Sequence, residues 1–194
     1  MYLYGASGHG KVIAEIAEQN NIEITAFIDK DISKIKVFDY PVVHEIPNRK
    51  IDLVISIGDN KIRKLIAEEY PNFSYSVLVH PSAVISKRAF LGEGTVVMAG
   101  AIINSDVKIG KHCILNTSSS IDHDCSIDDF VHISPNVALA GNVQIGEGTH
   151  IGIGACVIPG IKIGKWCIIG AGAVIIKDIP DNSKVVGNPG KKLE

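Results

Sequence analysis

Beginning at Val79 and ending at Ile175, an aliphatic residue stands at every sixth position without omission. Four residues after each comes a small or compact one, as in Ala83, Ala89, Thr95, Ala101, Val107, Cys113 and Ser119. Neither an α-helix nor a simple strand repeats in sixes. The pattern predicts a left-handed parallel β-helix of hexapeptide repeats, in which three six-residue steps close one triangular coil and residues eighteen apart stack. Side chains alternate along each short strand, so the aliphatic residue and the small one two before it face inward. The residue between them and the next face outward, which leaves two residues to turn each corner. Glu93-Gly94, Lys111-His112, Glu147-Gly148 and Lys165-Trp166 are such pairs, often after a glycine. Each inward aliphatic contributes roughly 1.5–3 kcal/mol when fully buried, enough for a core with few aromatics.

The chain before Val79 follows other periods. Residues 2–4 predict a strand, the turn Gly5-Ala6-Ser7-Gly8-His9-Gly10 follows, and residues 11–19 carry a helical pattern with Val12, Ile13, Ile16 and Ala17 on one side. Further strands are expected at 24–28, 53–57 and 75–79, with a helix near 61–69. This predicts a small Rossmann-like β-α-β domain over residues 1–78, followed by the β-helix and its tail over 79–194. The glycine turn lacks the dinucleotide spacing. Although Gly5, Gly10 and Lys11 mimic a P-loop, Val12 stands where a magnesium-binding hydroxyl belongs, so ATP hydrolysis is disfavoured. A glycine turn at a helix N-terminus still offers N–H groups to phosphate. Asp29 closes one of these strands and Gly58-Asp59 another, at the strand ends where open α/β sheets bind ligands.

At 194 residues, with 46% hydrophobic content and a net charge of −2, the chain suits one or two globular domains. That charge excludes general attraction to nucleic acid or anionic lipid. No apolar run is long enough to span a bilayer, and the start lacks a signal peptide's layout, so a cytoplasmic location without membrane insertion is expected. Cys113, Cys125 and Cys167 fall on inward small positions and Cys156 one residue beyond such a position, which predicts reduced structural thiols and no metal motif.

Four segments carry a resemblance: the Gly5-Ala6-Ser7-Gly8-His9-Gly10 start, Val79-His80-Pro81-Ser82-Ala83, Asn116-Thr117-Ser118-Ser119-Ser120-Ile121-Asp122-His123-Asp124-Cys125, and the closing Val186-Gly187-Asn188-Pro189. Together they resemble the sugar O-/N-acyltransferases of the sialic-acid and bacillosamine type, nearest to N-acetyltransferases of nucleotide-linked 4-amino sugars. The resemblance implies acetyl-CoA as donor, no metal, and a nucleotide-linked amino sugar, with UDP as the nucleotide, as acceptor in bacterial glycan biosynthesis. It implies that His123 is the general base and that Asp124 raises its basicity. His132, Gly141 and Ile153 match acetyl-CoA contacts; Ser7, Gly8, His9, Asp29 and Lys30 match nucleotide-sugar contacts.

Chemistry agrees. Acetyl transfer to an amine needs an acceptor for its proton, and an imidazole steadied by a carboxylate suits that task near neutrality. The register puts His123 and Asp124 at a corner, with Ile121 and Cys125 pointing in. It puts His132 on an outward face opposite that corner, with His150 stacked above it. The two sites cannot meet within one prism, so a shared site calls for a symmetric oligomer, most simply a homotrimer of parallel prisms. Sugar O-acetylation, as of sialic acid, a zinc enzyme of the carbonic-anhydrase type built on His112, His123, His132 and His150, and a non-catalytic scaffold are the competing readings.

Overall fold

The computed structural model describes residues 1–193. The first unit is a six-stranded sheet with two helices: β1 (Tyr2–Tyr4), α1 (Gly8–Gln19), β2 (Ala26–Ile28), β3 (Lys36–Val37), β4 (Tyr40–Val43), β5 (Asp52–Ile55), α2 (Asn60–Glu69) and β6 (Ser74–Tyr75), in the order β3-β4-β2-β1-β5-β6. The β3-β4 hairpin was not anticipated from the sequence. Nor does 75–79 form one strand: β6 pairs with β5, whereas Leu78–Val79 pairs with Val96–Val97 in the coil. The chain therefore changes sheets at Ser76-Val77, and Leu78 already belongs to the coil.

From there the chain forms a parallel β-helix whose strands pair eighteen residues apart, as Ile114 with His132 and His132 with His150. The inward aliphatic and small positions form one buried column containing Ile103, Ile109, Leu115, Ile121, Ile127 and Ile133. Cys113, Cys125 and Cys167 are buried there and Cys156 is exposed; all four are free. Every sixth residue from Gly94 to Gly172, the second of each corner pair, has positive φ. Gly, Asn and Asp take that conformation readily and His less so; His112, Phe130 and Trp166 are the bulkiest side chains held in it, and Phe and Trp rarely adopt it.

Those three lie on the third corner, where the first unit docks. His112 stacks on Phe130 at 5.2 Å, Tyr75 meets His112 edge-on at 4.6 Å, and Lys64 of α2 lies over the rings of Phe130 and Trp166. α1 covers the adjoining first face: Ile13, Ile16 and Ala17 pack with the outward Leu78, Val96 and Ile114. Its C-terminal end is tied to the top coil by Asn20 Nδ2, which donates to the Val79 carbonyl at 2.9 Å. No helix among the described residues is long and apolar enough to cross a membrane.

Burial holds His112 well below the ordinary histidine value of 6.5, at about 4. The folded chain keeps it neutral while the unfolded chain protonates it near 6.5, so its contribution to stability is complete above that pH and is lost as pH falls toward 4. The loss from this residue is roughly 3 kcal/mol. His112→Phe keeps the stack and removes Nδ1, which has no partner among the described residues. Melting temperature is expected to fall less steeply with acid in this variant. An unchanged slope would assign the acid sensitivity to other groups.

Candidate active site

His123 and Asp124 stand at the second corner, between the strands Ser120–Ile121 and Ser126–Ile127. Ile121 and Cys125 on either side are buried, which pushes the two intervening side chains outward. His123 Nδ1 lies 2.7 Å from Asp124 Oδ2, and the side chains are 60% and 61% exposed. Asp122 Oδ1 accepts the His123 backbone N–H at 2.8 Å. The hydrogen bond to Asp124 raises His123 above its usual range, and the Asp122 charge adds to this. With Nδ1–H donated to Asp124, Nε2 is the nitrogen left to take a proton. Gly141, eighteen residues on, lies against the ring: a Cβ there would come within 2.6 Å of the imidazole. Its lack of a side chain lets His123 lie flat, and its N–H has no partner among the described residues.

The second cluster is the start of α1. Gly5 has φ +117°, and a Cβ on Gly10 would sit 2.3 Å from the Gly5 carbonyl, so both glycines are required by the tight turn. Ser7 is the N-cap, yet its side chain makes no capping bond, and it and Gly8 are exposed. A helix N-terminus left open in this way favours an anion. Asp29 is less free than its position suggested: its carboxylate accepts from the Ala6 N–H and Lys34 Nζ, both at 2.8 Å, and from the Asp31 N–H at 3.0 Å. It braces the turn. Desolvation opposes those bonds, but with Lys34 foremost among them they hold its carboxyl below the usual range. A cavity of about 330 Å³ lies between Gly5, Asp29, Lys30 and the α2 residues Ile62 and Leu65.

His132 is not on a free outward face as the register alone suggested, because the first unit docks over it. The outward column of the first face runs Leu78, Val96, Ile114, His132, His150, Ile168: aliphatic under α1, then imidazole beyond. His132 and His150 stack at 4.6 Å; Asn116 Nδ2 is 3.2 Å from His132 Nε2 and Ser134 Oγ is 2.8 Å from His150 Nε2. Burial lowers His132 to about 3 and His9 to about 4. Nδ1 of His132 and Nε2 of His9 are buried and meet no hydrogen-bond partner among the described residues. The Gly58 backbone lies beside His132, so the turn and the coil face come together here. His123 is at a different corner, and Ile153 lies at the corner between the first and second faces, half exposed. Among the described residues no group of three or more His, Cys, Asp or Glu is arranged to hold a metal.

Comparison with known proteins follows the same division. Residues 1–70 match the PglD N-terminal domain family and residues 142–177 the bacterial transferase hexapeptide family. A structure of a histidine-to-asparagine mutant of perosamine N-acetyltransferase from Caulobacter crescentus, in complex with CoA and GDP-perosamine, is 36% identical, covers 100% of this chain and 96% of its own, and superposes with a TM-score of 0.94. The acetyltransferase domain of PglB from Neisseria gonorrhoeae is 40% identical, covering 99% of this chain and 98% of its own, with a TM-score of 0.94. The chain belongs to this family of sugar N-acetyltransferases. The UDP-N-acetylbacillosamine N-acetyltransferase of Bacillus subtilis is 41% identical over 111 residues, a match spanning 50% of this chain and 50% of that relative.

Within this family member, Arg63 and Asn60 were not singled out from the sequence. Both are buried at the junction, where Asn60 Nδ2 donates to the Gly148 carbonyl at 3.0 Å. Their only signal is a polar helix following Gly58-Asp59. The pair at the second corner is open to direct measurement. In an NMR titration His123 is expected above the ordinary histidine value, and Asp124→Asn is expected to bring it back down. Asn suits the φ of +60° at that position. An identical titration in both proteins would remove Asp124 from the chemistry of the pair.

Proposed function

We propose that this chain is a cytoplasmic enzyme that transfers the acetyl group of acetyl-CoA to the 4-amino group of a UDP-linked amino-deoxy sugar. The observation that carries the reading is the His123–Asp124 pair, exposed and hydrogen-bonded at 2.7 Å, with an unoccupied Gly141 N–H one coil away. Support comes from a relative that matches the whole of this chain and whose structure holds CoA and GDP-perosamine. The amine attacks the thioester carbonyl directly, forming the C–N bond and releasing the CoA thiolate. His123 Nε2 takes the amine proton, which then neutralises the thiolate, and the Gly141 N–H steadies the developing oxyanion. The three buried thiols are not poised to intervene: burial pushes Cys113 up to about 12 and raises Cys125 and Cys167.

The nucleotide sugar is assigned to the Ser7, Gly8 and His9 turn with Asp29, Lys30 and Gly58. Phosphate meets the open N-terminus of α1, and the sugar extends toward His132. Acetyl-CoA is assigned to His132, Gly141 and Ile153. Because His123 and the His132 face lie at different places on the prism, the reading requires a symmetric oligomer, most simply a homotrimer, in which one chain's second corner meets a neighbour's first face. The second face favours such packing: its outward Val84, Ile102, Ile158 and Ile176 are exposed aliphatics, whereas the third face, after Phe90 at its start, presents Lys108, Ser126, Gln144 and Lys162.

Acetyl-CoA incubated with UDP-, GDP- and dTDP-linked 4-amino sugars is expected to release thiol with the UDP sugar. His123→Ala is expected to lower kcat by ~10²–10⁴ with little change in binding. The wild-type rate is expected to rise with pH as His123 loses its proton. Wild-type kcat in the Ala variant at neutral pH would refute the base assignment.

The shared site has its own test. His123→Ala and Ile153→Asp proteins, each inactive, are expected to regain part of the activity after mixing and subunit exchange. Some interfaces then combine an intact corner with an intact face. A fully active monomer, or no rescue after proven exchange, would rule out sharing.

A further inference from the structure

α2 is held to the third corner of the coil by a buried cation that has no anion. Arg63 is 1% exposed, and no Asp or Glu forms a salt bridge with it among the described residues. Its guanidinium donates only to neutral oxygens. Nε reaches the His112 carbonyl at 2.7 Å; Nη2 reaches the Phe130 carbonyl at 2.9 Å and Asn60 Oδ1 at 2.8 Å; Nη1 reaches the carbonyls of Ile57 at 3.0 Å and Gly58 at 3.2 Å. Burial lowers it only to about 10, so it stays charged at neutral pH. A buried charge is expensive unless dipoles replace its water. Here five oxygens do so.

Those oxygens come from two bodies. His112 and Phe130 are corner residues with φ of 52° and 60°, and neither carbonyl receives a hydrogen bond within the coil. Asn60 continues the series by donating to the Gly148 carbonyl, the next corner along. Ile57 and Gly58, by contrast, belong to the loop between β5 and α2, at the carboxyl ends of the sheet strands. One planar group thus spans the coil edge and the loop beside the candidate ligand cavity.

We propose that Arg63 is a positioning residue for nucleotide-sugar binding, registering the Ile57-Gly58 loop against the coil corner and so fixing the sugar end relative to the His132 face. This rests on the assignment of the nucleotide sugar to that loop. A lysine is no substitute: a point charge with three donors cannot serve five acceptors set around a plane. The guanidinium also faces His9, His112, His132 and His150, and adds to burial in keeping these imidazoles neutral. A neutral ring keeps one nitrogen able to accept a hydrogen bond from an N–H or O–H of a ligand.

The test compares Arg63→Met and Arg63→Lys with the wild-type chain. In Arg63→Met, KM for the nucleotide sugar is expected to rise about tenfold or more, the equivalent of one charge-assisted hydrogen bond, while kcat and KM for acetyl-CoA hold nearly steady. Arg63→Lys is expected to fall between. Amide exchange without substrate is expected to quicken at residues 57–60 in both variants. If Arg63→Met does not fold, Asn60→Ser, which loosens the same junction while leaving the carbonyl contacts of Arg63, is expected to shift both readouts in the same direction by less. An unchanged KM for the sugar, or an equal rise for both substrates, in a folded variant would overturn the proposal. So would unchanged exchange in the loop, which reads the tie without any reaction; absence of acetyl transfer by the wild-type chain would instead sink the proposed function.

Discussion

A backbone that must turn left-handed at every sixth residue leaves one carbonyl per corner without a partner inside the coil, and the three corners of this prism meet that constraint differently. At two corners those residues are small or polar and nearly all lie exposed, where water can satisfy a carbonyl. At the third, His112, Phe130 and Gly148 are buried, and their carbonyls are taken up by Arg63 and Asn60. The bulky rings found there in an unfavourable backbone conformation are the same rings that Tyr75 and Lys64 pack against. Docking of the first unit therefore compensates the coil for a strained edge, and the strained edge gives the first unit a single place to sit.

The second consequence is chemical. His123 and His132 are the same side chain only nine residues apart, yet their environments drive them in opposite directions. An exposed corner with two carboxylates raises the first, while burial beneath the first unit, with Arg63 nearby, lowers the second. One is thereby suited to accept a proton and the other to remain a neutral hydrogen-bonding group. Environments that separate titrations are how a fold assigns roles to like residues.

Much of this was legible in the sequence because the coil's period is written in it. Six-residue spacing specifies which side chains point in, and so it placed His123 and Asp124 outward, between buried neighbours, before any coordinates. Contacts between the two units are not periodic, and there sequence reading stopped. Arg63 looks like an ordinary polar position on a short helix; its burial depends on carbonyls contributed by His112 and Phe130, far along the chain. Leu65, two residues later, is exposed despite being apolar. His132 was read correctly as outward, but what lies outward of it is the chain's own first unit. The β3-β4 hairpin escaped notice because its strands are short and lack a clear alternation.

Stacking at eighteen residues also makes chain length a spatial quantity. Gain or loss of one hexapeptide between His123 and Ile153 would keep every inward residue inward, so the core would tolerate it. It would also rotate everything downstream by one face of the triangle, carrying Ile153 from its own corner to the next. Only a whole coil can be added or removed there with the downstream orientation intact. Even then, the axial separation between His123 and Ile153 would change by one strand spacing, roughly 4.8 Å. For this architecture the spacing between functional residues is fixed in units of the coil, much as codons fix the units of a reading frame.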